Sequence, residues 1–187
     1  MQRRIIMLGA ALQFLSGCAA QAMGVMRRGE NAGYGASNVS SQKLQDVQVV
    51  DAANPDRSYA GQLGAPAGLN PGIKYPKTAR IAAGHNRYMS DTGHKVPEAV
   101  LVSWREMPAP GGQPYTGTLF GPYRIVVRSR IPAEVLDKIR KDTMHIDIGF
   151  SAGMVPPIMQ WRLIDDAAGS DMQGRPKILA EGGDEFP

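Results

Sequence analysis

A second cysteine is missing from this chain. Its 187 residues include one, Cys18, so no disulfide can form within it. Histidine is nearly as scarce: His85, His94 and His145, none further downstream, at no spacing familiar from metal sites. Long apolar runs are lacking too. The run from Ile5 to Leu15 falls short of the roughly 20 residues a spanning helix needs, and nothing later approaches it. No internal repeat with a period of about 20–50 residues is visible. Nor is there a strong excess of one charge, with 21 basic against 17 acidic residues giving +4. Nucleic-acid binders cluster basic residues among stacking aromatics, and that class is set aside.

What the chain does have is a distinctive beginning. Arg3 and Arg4 form a basic head, Ile5 to Leu15 an almost charge-free apolar run, and Leu15-Ser16-Gly17-Cys18 closes it. A positive n-region, an h-region of about 7–15 residues and small residues at the end make an export signal. Leu15, Ser16, Gly17 and Cys18 resemble the lipobox of bacterial lipoproteins. In that family the cysteine is diacylated and becomes the first residue of the mature chain. A lone thiol in an oxidising compartment would otherwise be a liability. Two acyl chains hold a protein to a membrane stably where one does so only marginally. By the same resemblance, Ala19 rather than Asp after the cysteine favours the outer membrane, on its periplasmic side. No cofactor is expected beyond this covalent lipid.

Cleavage before Cys18 removes residues 1–17 and leaves 170 of 187, enough for one domain with flexible ends. It also removes Arg3 and Arg4, so 19 basic residues face 17 acidic ones and the net charge falls to +2. Residues 18–41 are rich in Gly, Ala, Ser, Asn and Gln. They read as a lipidated flexible tether, since such a segment buries too little surface to offset the entropy of ordering it. Residues 42–77 read as loop-rich, with Pro55, Pro66, Pro71 and Pro76 and a candidate strand at Leu44 to Val50. Residues 165–187 carry six acids against two bases and read as a solvated, disordered tail.

Between them, residues 78–164 read as the globular domain. Val100, Val102 and Trp104 alternate with Leu101, Ser103 and Arg105. Tyr123 to Ile131 predicts a strand with Tyr123, Ile125 and Val127 on one face and Arg124, Arg128 and Arg130 on the other. Pro132 opens a short helix to about Lys141, with Val135, Leu136 and Ile139 as its apolar stripe. Met144 to Phe150 alternates again, and Met159, Trp161 and Leu163 share one face of the last strand. The expected fold class is α+β: a small antiparallel sheet, one face wet and the other covered by one short amphipathic helix.

Three groups of residues carry candidate chemistry. Gly149-Phe150-Ser151-Ala152-Gly153 matches the G-x-S-x-G nucleophile elbow, which needs a helix directly after the serine and a histidine later in the chain. Pro156 and Pro157 would break that helix and no later histidine exists, so Ser151 reads as part of a turn between strands. His145 and Asp147 could both reach a metal, but their likelier setting by pattern is a solvated strand face. Arg124 and Arg128, with Tyr115 and Phe120 in the preceding loop, are the candidates for binding a partner. No catalytic residue is assigned, and the protein reads as a non-enzyme.

From Pro97 to Ile164 the order of motifs is specific. Pro97-Glu98 leads into Ser103-Trp104-Arg105, Gly121-Pro122-Tyr123 opens an Arg-rich strand, Ile131-Pro132-Ala133-Glu134 opens the helix, and Trp161 sits in the last strand. This resembles small Gram-negative lipoproteins that act as immunity partners of type VI secretion lipase effectors. The resemblance covers under half of the chain and carries no catalytic residue. It implies a periplasm-facing domain that binds and blocks an effector protein. The alternative is a structural or assembly lipoprotein of the envelope or of the secretion apparatus.

Overall fold

The computed structural model describes residues 29–63, 77, 81, 88–89, 95–108, 113, 116–140, 144–170 and 176–187. Among the described residues there are nine strands: β1 (Ala32–Asn38), β2 (Leu44–Asp51), β3 (Ser58–Leu63), β4 (Tyr88–Met89), β5 (Ala99–Glu106), β6 (Leu119–Val126), β7 (Met144–Ala152), β8 (Met159–Ser170) and β9 (Pro176–Gly183). The helix α1 spans only Ala133–Lys138 and follows a single 3₁₀ turn at Arg128–Arg130. Strand makes up 54% and helix 8%, so the fold is nearly all β and not α+β.

Two sheets share one core. The first runs β4-β1-β7-β8-β9 and the second β3-β2-β5-β6, and every pairing is antiparallel except β1 with β7. Tyr34 of β1, Ile146, Ile148 and Phe150 of β7, and Met159 and Leu163 of β8 come from the first sheet. Leu44, Val47 and Val49 of β2 and Val100, Val102 and Trp104 of β5 meet them from the second. Period-2 alternation puts each set on the inward face. Val135, Leu136 and Ile139 add the apolar stripe of α1 to this same core, where the sequence pattern places them.

Two segments overturn the expected organisation. Ala32–Asn38, inside the stretch read as a tether, is β1, paired in full parallel register with β7 from Ala32↔Ile146 to Asn38↔Ala152. Pro176–Gly183, inside the stretch read as a disordered tail, is β9, and Phe186 beyond it is buried. Neither the Gly- and Ala-rich AGYGASN nor the Gly-ended PKILAEGG alternates cleanly, so tertiary pairing decides both.

The first sheet has no wet face along β7. Its outward residues His145, Asp147, Gly149 and Ser151 are as buried as its inward ones. Ile81 lies directly over Gly149, where an added Cβ would come within 2.9 Å of Ile81 Cγ2. Ile81, Ile158 and Phe186, with Val39 and Met154, form a second small cluster. Gln160 ties it down: its Oε1 accepts from the Ile81 amide at 2.6 Å, and its Nε2 donates to the Asp184 carbonyl at 2.7 Å.

Candidate functional site

Glu30 fixes the point where the described chain enters the sandwich. Its carboxylate is 2% exposed, and donors converge on both oxygens. Arg128 supplies Nη1 to Oε2 at 2.7 Å and Nη2 to Oε1 at 2.8 Å. The Val96 amide reaches Oε2 at 2.7 Å, and Arg140 Nη2 reaches Oε1 at 3.1 Å. Burial alone pushes this carboxyl up. The hydrogen bonds from Arg128, the Val96 amide and Arg140 outweigh burial and hold it below its ordinary value. The bond to Glu30 correspondingly raises the Arg128 guanidinium. Next to it, the Asn31 amide donates to the Ile139 carbonyl at 3.1 Å, and Asn31 Nδ2 donates to the Met144 carbonyl at 3.2 Å. Two residues therefore bind together the β6–α1 connection, the end of α1 and the start of β7.

This end of the sandwich is rimmed with charge. Lys95, Glu98, Asp137, Lys138 and Arg140 are exposed around the Glu30 clamp. Lys177 Nζ lies 3.7 Å from Asp165, which is paired with Met144 across β7 and β8. We refer to it as the entry pole.

At the opposite pole, which we call the Val155 pole, the described residues of three connections meet the chain's last residues: Phe186 packs with Val39, Met154 and Ile158, the Asp184 amide donates to the Met159 carbonyl at 2.8 Å, and Glu185 is exposed. In the β1–β2 connection, the Ser40 amide donates to Asn38 Oδ1 at 2.9 Å, Asn38 Nδ2 to the Gln42 carbonyl at 2.6 Å, and the Gln42 amide to Ser40 Oγ at 3.1 Å. Gly153 in the β7–β8 turn has φ +87, and a Cβ there would lie 2.6 Å from Ser40 Cβ. The Met107 amide donates to the Lys43 carbonyl at 2.9 Å, and the Glu106 amide to the Thr118 carbonyl at 3.1 Å. Val155 at the tip of its turn is 60% exposed and Leu119 49%.

The sequence candidates fall on different sides of this division. Leu15, Ser16, Gly17, Cys18 and Tyr115 lie outside the described residues. Phe120 is not an exposed anchor: it stacks on buried Trp104 with centroids 5.8 Å apart and planes 9° from parallel, and Tyr123 covers the same ring at 5.3 Å. Arg128 is not on a strand, because β6 ends at Val126, and its guanidinium is committed to Glu30 rather than turned to a partner. Arg124 is exposed, opposite Leu101 on the outer face of the second sheet.

The remaining candidates are structural. Ser151 lies within β7, is fully buried, and its Oγ accepts the Ile158 amide at 2.8 Å across the hairpin. A strand and a tight turn stand where an elbow would require a helix. His145 Nε2 sits 3.5 Å from Asp147 Oδ1, both side chains buried, so the solvated strand face expected for them is replaced by a covered one. Among the described residues no further His, Cys, Asp or Glu joins them in a metal-holding group. The Glu30 clamp is the feature the sequence reading missed. A lone glutamate next to Arg27 and Arg28 in a Gly-rich stretch carries no local sign of partners about a hundred residues away.

Compared with family models, with curated proteins and with solved structures, the chain matches none.

Proposed function

We propose that the protein is a lipid-anchored, periplasm-facing binding protein of the outer membrane that neutralises a secreted antibacterial effector. The observation that carries this is Leu15-Ser16-Gly17-Cys18 directly after a short apolar run, with Cys18 the chain's one thiol. Eleven residues, Ala19 to Gly29, then separate Cys18 from Glu30. That is about half of the 24 residues that composition assigns to a tether, and the described chain enters the sandwich at the entry pole.

One further observation favours binding over catalysis. The one nucleophile motif in the sequence is spent inside a hairpin, where Ser151 Oγ holds the Ile158 amide. The effector class comes from the likeness of Pro97–Ile164 to immunity lipoproteins. Deleting the gene and competing the mutant against its parent tests the reading, with survival as the readout. The expected result is killing of the mutant by its siblings and full rescue by the restored gene. A mutant that survives unharmed but has a leaky envelope would instead assign the protein to envelope assembly.

A further inference from the structure

An edge strand offers a row of backbone donors and acceptors to any strand that can pair with it, and the described residues include four such edges: β4, β9, β3 and β6. Three of them are interrupted. β4 is two residues long, β6 carries Pro122 in its middle, and β3 shifts register twice within six residues. β9 is longer and more open: eight residues with proline only at the first, six of them exposed and two half-buried. We infer that β9 is an interaction surface and that its partner is the β9 of a second copy of this chain, paired antiparallel. The inference goes beyond the immunity reading and stands without it.

Register decides which side chains of β9 share a face. Leu163 of β8 is fully buried, and its partner Ala180 packs against the same core. Arg162 and Ile164 flank Leu163 and lie on the outer face, which places their partners Glu181 and Ile178 there too. Between Ala180 and Ile178 the ladder shifts by one residue, Leu179, which is opposite no residue of β8. Alternation from Glu181 sets Leu179 outward as well. The bulge therefore stands Ile178 and Leu179 side by side on the outer face, 43% and 39% exposed.

The same bulge selects the occupant. A straight strand added to β9 would meet two successive outward residues and lose its alternation at Leu179. A second β9 carries the matching irregularity. About a two-fold axis, one register over the strand's centre keeps every facing pair on a single face. It sets Ile178 opposite the second copy's Leu179, Lys177 opposite its Ala180 and Pro176 opposite its Glu181. Symmetry makes each pair occur twice. The two central pairs are wholly apolar, and no pair brings like charges together, which would oppose the contact.

Both ends of β9 are fastened. Lys177 Nζ lies 3.7 Å from Asp165 Oδ2, while just past the other end Asp184 accepts the Met159 amide at 2.9 Å and bonds the Arg130 guanidinium. A strand fixed in this way loses little freedom on pairing. The contact is short, about six residues from each copy, and falls below the roughly 1,200 Å² of a standard interface, so the dimer should dissociate in the micromolar range.

Sedimentation equilibrium on the purified full chain, in one density-matched detergent from about 1 µM to about 1 mM, tests the pairing. The wild type is expected to pass reversibly from monomer to dimer. Leu179→Lys and Ile178→Glu each set two charges against apolar side chains and are expected to weaken the dimer at least about tenfold. Val126→Lys, at an exposed position of β6, is expected to leave it unchanged. Mixing the Leu179→Lys chain with the Ile178→Glu chain should restore pairing, because position 179 of one faces position 178 of the other. A variant that merely folded badly could not be rescued in this way. A wild type that stays monomeric throughout, a dimer insensitive to both substitutions, or a mixture no tighter than its parts would overturn the proposal. So would a monomeric wild type whose Leu179→Lys form no longer protects cells from their siblings, since the edge would then belong to the effector.

Discussion

The entry pole and the Val155 pole are made from the same nine strands and yet held together by different means. At the entry pole a buried carboxylate gathers two arginines and a backbone amide, and charged side chains ring it. At the other, short hydroxyl and amide side chains cage the loops and a glycine lets two turns touch. The first arrangement is strong because the carboxylate is buried and its bonds are charge-assisted. The second is held mainly by neutral side chains and close backbone contacts, and Val155 at the tip of its turn is left exposed.

If this contrast is right, removing the buried carboxylate of the entry pole costs the most stability, and changing the exposed side chain of Val155 costs the least. Glu30→Ala should be the most severe change. It strands the Arg128 guanidinium, 17% exposed, beside Val96 and should cost about 3–5 kcal/mol in urea unfolding. Phe186→Ala opens the small cluster over the first sheet and should cost about 3 kcal/mol by the same measurement. A chain whose last residues were a loose tail would not respond at all.

Gly153→Ala should cost about 1–3 kcal/mol, because it forces a left-handed conformation and drives Cβ into Ser40. The effect of pH should be smaller and confined to acid. Glu30 is held below its ordinary value, so its contribution is complete above 4.5. It is lost as pH falls from there through the lowered value. Urea midpoints measured across this range should fall in the wild type, and Glu30→Gln should flatten the part of the slope due to this group. Val155→Lys should be the mildest change, within about 0.5 kcal/mol of wild type, since the side chain is mostly in solvent.

Much of the second sheet and of β7 and β8 is legible in the sequence. Val100, Val102 and Trp104 alternate, as do Ile146, Ile148 and Phe150, and each set lies in the core where its period places it. Val135, Leu136 and Ile139 do the same at helical spacing. The first sheet was harder to read because its defining strand, β1, is AGYGASN. Only Tyr34 there is large, and the strand exists because β7 offers a full parallel ladder. Ile81 covers the outer face of β7 at Gly149, and His145 and Asp147 on that face are buried, although their alternation with isoleucines reads as a wet face. The site was legible in part. Burial of Phe120 under Trp104 and the engagement of Arg128 by Glu30, however, depend on residues far apart in sequence.

The division of labour between the poles requires that the chain be held from Cys18. Mass spectrometry of the N-terminal peptide, taken from protein purified out of the membrane fraction, tests this directly. The account predicts a peptide that begins at Cys18 and carries a diacylglycerol on its sulfur. A peptide that begins at Met1 or at any other residue, or that begins at Cys18 with a free thiol, would contradict it.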